Sequence, residues 1–214
     1  MRSIALPLTL LICFVVSCGN HSTGIPNNKK AVTSPAPQDN SVSEPNAPDR
    51  DTTKWVDNFR MFRDAVYQRN KEKVKLFFDF PVMNPGNEIW YLAYGGVENN
   101  VNADDIKPFT GKDLDKYFDK LFPKEFINCL LKVKSEELWK TGKVETKEIK
   151  DGNTTYKMYA TFDKSDNTLT LNLWSNSPYK INDTEWEAAE SSVIYEFTVL
   201  SNGNIKFKRV ALAG

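Results

Sequence analysis

The chain has 214 residues, 28 basic and 28 acidic side chains, and a single histidine, His21. Its charges are interspersed with no block of one sign, which argues against an electrostatic footprint for nucleic acid. One histidine near the N-terminus leaves the rest of the chain without a Ser-His-Asp triad, a Cys-His pair or a histidine-based zinc site, and no cofactor motif is present.

The first segment is Arg2 followed by an apolar run from Ile4 to Val16. The run is shorter than the roughly 20 residues a membrane-spanning helix needs, but it has the length of a signal-peptide core. It ends in Val15-Val16-Ser17-Cys18. An apolar residue, two small or apolar residues and then cysteine resemble the processing site of bacterial lipoproteins. That resemblance implies cleavage between Ser17 and Cys18, diacylation of the Cys18 thiol (palmitate or a similar acyl chain), and acylation of the new amino terminus. It also implies a lipid-anchored protein of the cell envelope. Gly19 stands where an aspartate would favour inner-membrane retention, so the implied address is the outer membrane. The competing reading is an ordinary secretory signal, which prefers a small residue where Val15 stands.

Residues 19–53 are rich in Asn, Ser, Pro and Thr, with prolines at 26, 35, 37, 45 and 48 and no apolar periodicity. Such a stretch buries too little apolar surface to offset chain entropy and reads as a disordered tether. The organisation expected is a signal peptide at 1–17, the lipidated cysteine and tether at 18–53, and a single α+β domain at 54–214. That domain is large enough for one core. Cys13 leaves with the signal and Cys18 carries lipid, so Cys129 is the one remaining thiol and an intramolecular disulfide is excluded.

Asp51 and Thr52 offer helix caps before Trp55, Phe59, Phe62 and Val66, whose steps of four, three and four share one helical face. Val74, Phe77 and Phe78 resume the pattern up to Phe80-Pro81. One long helix and two short ones joined near Asn70 both fit. Ile89–Tyr94 is β-branched and aromatic between glycine-containing turns and predicts a strand. Residues 97–108 predict a polar loop. Asp104-Asp105 within it lacks the alternating acidic spacing of a calcium loop, so no metal site is assigned.

Thr110 and Asp113 form a capping-box pattern before Leu114, Tyr117, Phe118 and Leu121. Pro123 opens another helix carrying Phe126, Ile127, Leu130 and Leu131, and Ser135–Leu138 opens one more turn before Gly142. The remainder alternates with period two. Strands are predicted at 144–150 and 154–162 around Asp151-Gly152-Asn153, and at Leu169–Leu173. A longer connection spans 175–190. Val193–Val199 and Ile205–Arg209 then flank Asn202-Gly203-Asn204.

Helices first and an antiparallel sheet afterwards give an α+β fold. This order, with Phe59-x-x-Phe62 running towards Phe80-Pro81, the 114–133 helices and the closing meander, resembles the nuclear-transport-factor-2-like (cystatin-related) superfold. The resemblance implies helices packed in the concavity of a curved sheet. Three functions fit. The first is a non-catalytic module that binds a small ligand or an envelope protein, with Trp90, Tyr94, Tyr156, Met158 and Trp174 lining a pocket. The second, implied by isomerases and cyclases of that superfold, is a carboxylate-dependent enzyme with Asp64 or Asp79 as base, and Glu88, Tyr67, Tyr91 and Tyr94 nearby. The third is an assembly component docking through the aromatic-bearing 175–190 connection.

Overall fold

A computed structural model describes residues 54–83, 87–96, 101, 106–182 and 186–214. The signal peptide, Cys18, the tether, the Asp51 and Thr52 caps and most of the 97–108 loop, Asp104-Asp105 included, lie outside the described residues. The described chain is α+β, with six helices followed by a curved antiparallel sheet.

The N-terminal apolar series forms α1 (Lys54–Tyr67), with Trp55, Phe59, Phe62 and Val66 all buried. It is a separate helix from α2 (Lys71–Lys75). Arg69 turns into the left-handed region at φ 54°, and the Asn70 side chain accepts a hydrogen bond from the Lys73 amide as the cap of α2. Helix α2 stops at Lys75, before Phe80-Pro81. Phe77 and Phe78 are buried in the segment that follows it.

The strand expected over Ile89–Tyr94 is instead helix α3 (Glu88–Ala93). Ile89, Trp90 and Ala93 are buried on one helical face, so packing against the rest of the molecule overrides the β-propensity of the sequence. Helix α4 (Gly111–Leu121) carries the expected capping box in full. Thr110 Oγ1 accepts from the Asp113 amide, and the Asp113 carboxylate accepts from the Thr110 amide at 2.9 Å. Pro123 sits one position outside α5 (Lys124–Leu130) as its cap instead of inside it. Helix α6 (Ser135–Thr141) ends where expected, at Gly142 with φ 74°.

The sheet comprises β1 (Lys143–Glu145), β2 (Ile149–Asp151), β3 (Thr154–Asp163), β4 (Thr168–Lys180), β5 (Trp186–Val199) and β6 (Ile205–Ala213). Its order is β1-β3-β4-β5-β6, with β2 also on β3 and every pair antiparallel. The single strand expected over 144–150 is broken, because buried Thr146 turns its hydroxyl onto the Met158 amide at 3.0 Å and interrupts the ladder. The connection expected over 175–190 is mostly strand, since β4 and β5 stay paired as far as Lys180 and Trp186.

Register places three rows of side chains under the helices: Met158, Leu173, Val193 and Leu212; Ala160, Leu171, Tyr195 and Val210; Phe162, Leu169, Phe197 and Phe207. A bulge between Glu196 and Phe197 bends the last pair of strands. Phe62 of α1 meets Phe197 of this surface at 4.9 Å between ring centroids. The buried Tyr195 hydroxyl donates to the Leu121 carbonyl at 2.6 Å, tying the sheet to the end of α4.

Candidate functional site

Two short extended segments build a cleft beside helix α3. In Phe80-Pro81-Val82 and Lys107-Pro108-Phe109 the proline pushes the residue before it out of the helical region. Val82 and Phe109 then pair by two backbone hydrogen bonds of 2.8 and 3.0 Å. Helix α3 lies against this bridge. Trp90 packs edge-on to Phe109 at 5.1 Å and stacks on Tyr94 at 5.8 Å, and its indole N–H donates to the Lys107 carbonyl at 2.6 Å. The Lys107 ammonium lies 5.7 Å from the centre of the Trp90 ring.

The cleft beside Trp90 has a volume of about 360 Å³ and is walled by Val82, Met83, Ile89, Ile106 and Pro108, with Asn87 and Lys107 as its polar side chains among the described residues. Met83 stands at the mouth, 68% exposed. Behind Trp90, the Tyr94 and Tyr117 rings meet at 5.5 Å. The Lys116 ammonium, helped by the Tyr94 hydroxyl, holds the Tyr117 phenol below the usual range. An apolar cavity with a few convergent polar groups and one cation suits an apolar ligand that carries an acidic head.

The five residues expected to line a pocket fall into three places. Trp90 walls the cleft and Tyr94 backs it. Met158 is fully buried in an inner row, and Tyr156 lies two residues before it on the same face, its phenol raised by burial. Trp174 is on the opposite face of the sheet, its indole N–H donating to Glu190 at 3.3 Å and the Lys157 ammonium 5.8 Å from its ring.

The two candidate bases stand outside the cleft. Asp64 is 60% exposed and 3.6 Å from the Arg63 guanidinium, and Asp79 is 73% exposed and 2.8 Å from the Lys206 ammonium. Glu88 is half-buried on α3, and Tyr67 is exposed on α1. Val82, Met83, Ile106 and Pro108 were not singled out from sequence. The signal that marks them is the repeated proline-apolar pair at 81–82 and 108–109.

Cys129 is buried in α5, and burial pushes its thiol up to about 11. A thiol so placed is packing material. Its ionisation is shifted above the open-chain value of 9.0, so its contribution to stability is full below about pH 9 and falls as pH rises through about 11. Iodoacetamide at about pH 8 is expected to leave Cys129 unmodified in the native chain and to alkylate it in denaturant. Intact mass reads the difference, and rapid native alkylation of Cys129 would contradict the burial.

Among the described residues, no group of three or more His, Cys, Asp and Glu side chains is placed to hold a metal ion. No described helix is long and apolar enough to cross a membrane. Compared with family models, with curated proteins and with solved structures, the chain matches none.

Proposed function

We propose that the chain is a lipid-anchored protein of a bacterial cell envelope, held through Cys18 in the outer membrane. Its α+β domain, arranged like the nuclear-transport-factor-2-like superfold, is a non-catalytic binding module. It takes an apolar ligand with an acidic head into the Trp90 cleft. The observation that carries this reading is the lining of the cleft, which among the described residues is apolar on most sides, includes Trp90 and has Lys107 as its one charged group. A carboxylate-dependent enzyme has no comparable support, because Asp64 and Asp79 are exposed and ion-paired away from the cleft.

The test uses 8-anilinonaphthalene-1-sulfonate, an aromatic body with an acidic head, titrated by fluorescence into the full chain. Met83→Glu places a like charge at the mouth and is expected to weaken binding at least about tenfold, which is about 1.4 kcal/mol. Because Met83 is exposed, the same change should leave folding stability within about 0.5 kcal/mol. Equal affinity for both proteins, or no binding by the parent, would overturn the assignment.

A further inference from the structure

Helices α1 and α6 frame a cleft of about 560 Å³ that shares no lining residue with the Trp90 cleft. Among the described residues, Arg60, Arg63, Lys134 and Lys140 line it against two carboxylates, those of Glu136 and Glu137. The carboxylates do not take up all of that charge. Arg60 donates to Glu136 and to Asp57, and the Lys134 ammonium lies 3.4 Å from Glu137. Those pairs leave Arg63 and Lys140. Lys140 is exposed and makes no ion pair among the described residues.

Arg63 stands one turn along α1 from Arg60, and its side chain is 22% exposed, so most of the guanidinium has left water. Its contacts are all long. Nη1 lies 3.5 Å from the Val133 carbonyl and 3.4 Å from the Ser135 hydroxyl, and Nε lies 3.6 Å from the Asp64 carboxylate. A well-made N–H···O bond spans about 2.7–3.2 Å. Nε is closed to solvent and makes no hydrogen bond, and Nη2 has no acceptor among the described residues. Donors left unfilled away from water cost stability. The fork of Nη1 and Nη2 is thus held at the wall of a cleft with donors to spare, a shape that a planar carboxylate matches with two parallel bonds. The buried Ser135 hydroxyl beside Nη1 adds a donor, and Lys140 supplies a separate point charge from the other helix. Glu136 and Glu137 disfavour a compact dianion such as phosphate, whose whole charge would sit at one point beside them. Two carboxylates held apart on a short chain suit two cations carried by different helices.

We propose that the cleft between α1 and α6 binds a small dicarboxylic acid. One carboxylate takes the Arg63 fork and the Ser135 hydroxyl, and the other takes the Lys140 ammonium. The proposal stands whether or not the Trp90 cleft holds a ligand.

Glutarate titrated into the full chain tests it, with the Arg63 Nε–H signal followed in nitrogen–proton spectra. Ionic strength is held fixed, because screening of exposed charges would otherwise imitate binding. Glutaramate, in which one carboxylate is replaced by an amide, is the control. Glutarate is expected to move the Arg63 signal to saturation and to bind at least about tenfold more tightly than glutaramate. Lys140→Gln should weaken glutarate about tenfold and leave glutaramate unchanged, because it removes only the partner of the second carboxylate. Lys140 is exposed, so this variant keeps the fold. Arg63→Gln should abolish binding of both acids, read through the Ser135 amide signal. If that variant unfolds, Arg63→Lys replaces it, keeps the charge without the fork, and should weaken both acids about tenfold. An unmoved Arg63 signal at tens of millimolar glutarate, equal affinity for the two acids, or an indifferent Lys140→Gln would overturn the proposal. So would tighter binding of inorganic phosphate, which would assign the cleft to a compact oxyanion.

Discussion

Phe62→Ala is expected to remove about 3–5 kcal/mol of folding stability, the range for deleting a buried phenylalanine. The ring is fully buried where three parts of the molecule converge on α1. It lies 5.3 Å from Phe77 after α2, 6.0 Å from Phe122 at the end of α4, and 4.9 Å from Phe197 on β5. No single neighbour can move to fill the space without breaking its own contacts with the other two elements, so the cavity term adds to the lost transfer energy. The adjacent Met61 is 60% exposed, and Met61→Ala should stay within about 0.5 kcal/mol. Guanidinium unfolding of both variants reads the contrast. A loss below about 1 kcal/mol for Phe62→Ala would mean that the helices do not close on the sheet as described.

The other large effect concerns the proposed anchor. Each buried methylene of an acyl chain contributes about 0.8 kcal/mol, so one chain holds weakly and two or three hold for practical purposes permanently. Cys18→Ala removes the thiol that would carry the diacyl group. The variant is expected to lose all fatty-acid labelling and to leave the membrane fraction, while the native chain labels and sediments with outer-membrane markers. Equal labelling of the two would remove the lipoprotein reading, and co-migration with inner-membrane markers would correct the address. The folded domain itself should be unchanged, since Cys18 lies far outside residues 54–214.

Most of the sheet was legible because period two and turn chemistry agree at each joint. Leu169, Leu171 and Leu173 point one way, as do Tyr195, Phe197 and Val199, and all six are buried. Gly152, at φ 59°, turns the hairpin between β2 and β3 where Asp151-Gly152-Asn153 marked it. The same parity places Trp174 outside. It follows Leu173, so a buried Leu173 sends its neighbour to the opposite face, away from Met158, and the two do not line one pocket as expected.

The expectations of a strand over Ile89–Tyr94 and of a connection over 175–190 fail for different physical reasons. The residues of α3 prefer strands in isolation, and their helix exists because Ile89, Trp90 and Ala93 find a surface to bury against. Residues 177–180 of β4 and 187–190 of β5 carry polar side chains on both faces and bury no row, so they lack the alternation that marks a half-buried strand. The cleft was half legible. Trp90 and Tyr94 stand out by type, whereas the Val82–Phe109 bridge joins residues far apart in the chain, and no local pattern specifies that pairing.

The binding reading turns on where a ligand sits, and the indole N–H of Trp90 reports that directly. It is held on the Lys107 carbonyl at the wall of the cleft, while the indole N–H of Trp174 lies on the far face of the sheet beside Glu190. In nitrogen–proton correlation spectra of the full chain, 8-anilinonaphthalene-1-sulfonate is expected to shift the Trp90 indole signal progressively to saturation and to leave that of Trp174 in place. A shift confined to Trp174, or an unmoved Trp90 signal at saturating probe, would contradict the assignment of the Trp90 cleft as the binding site.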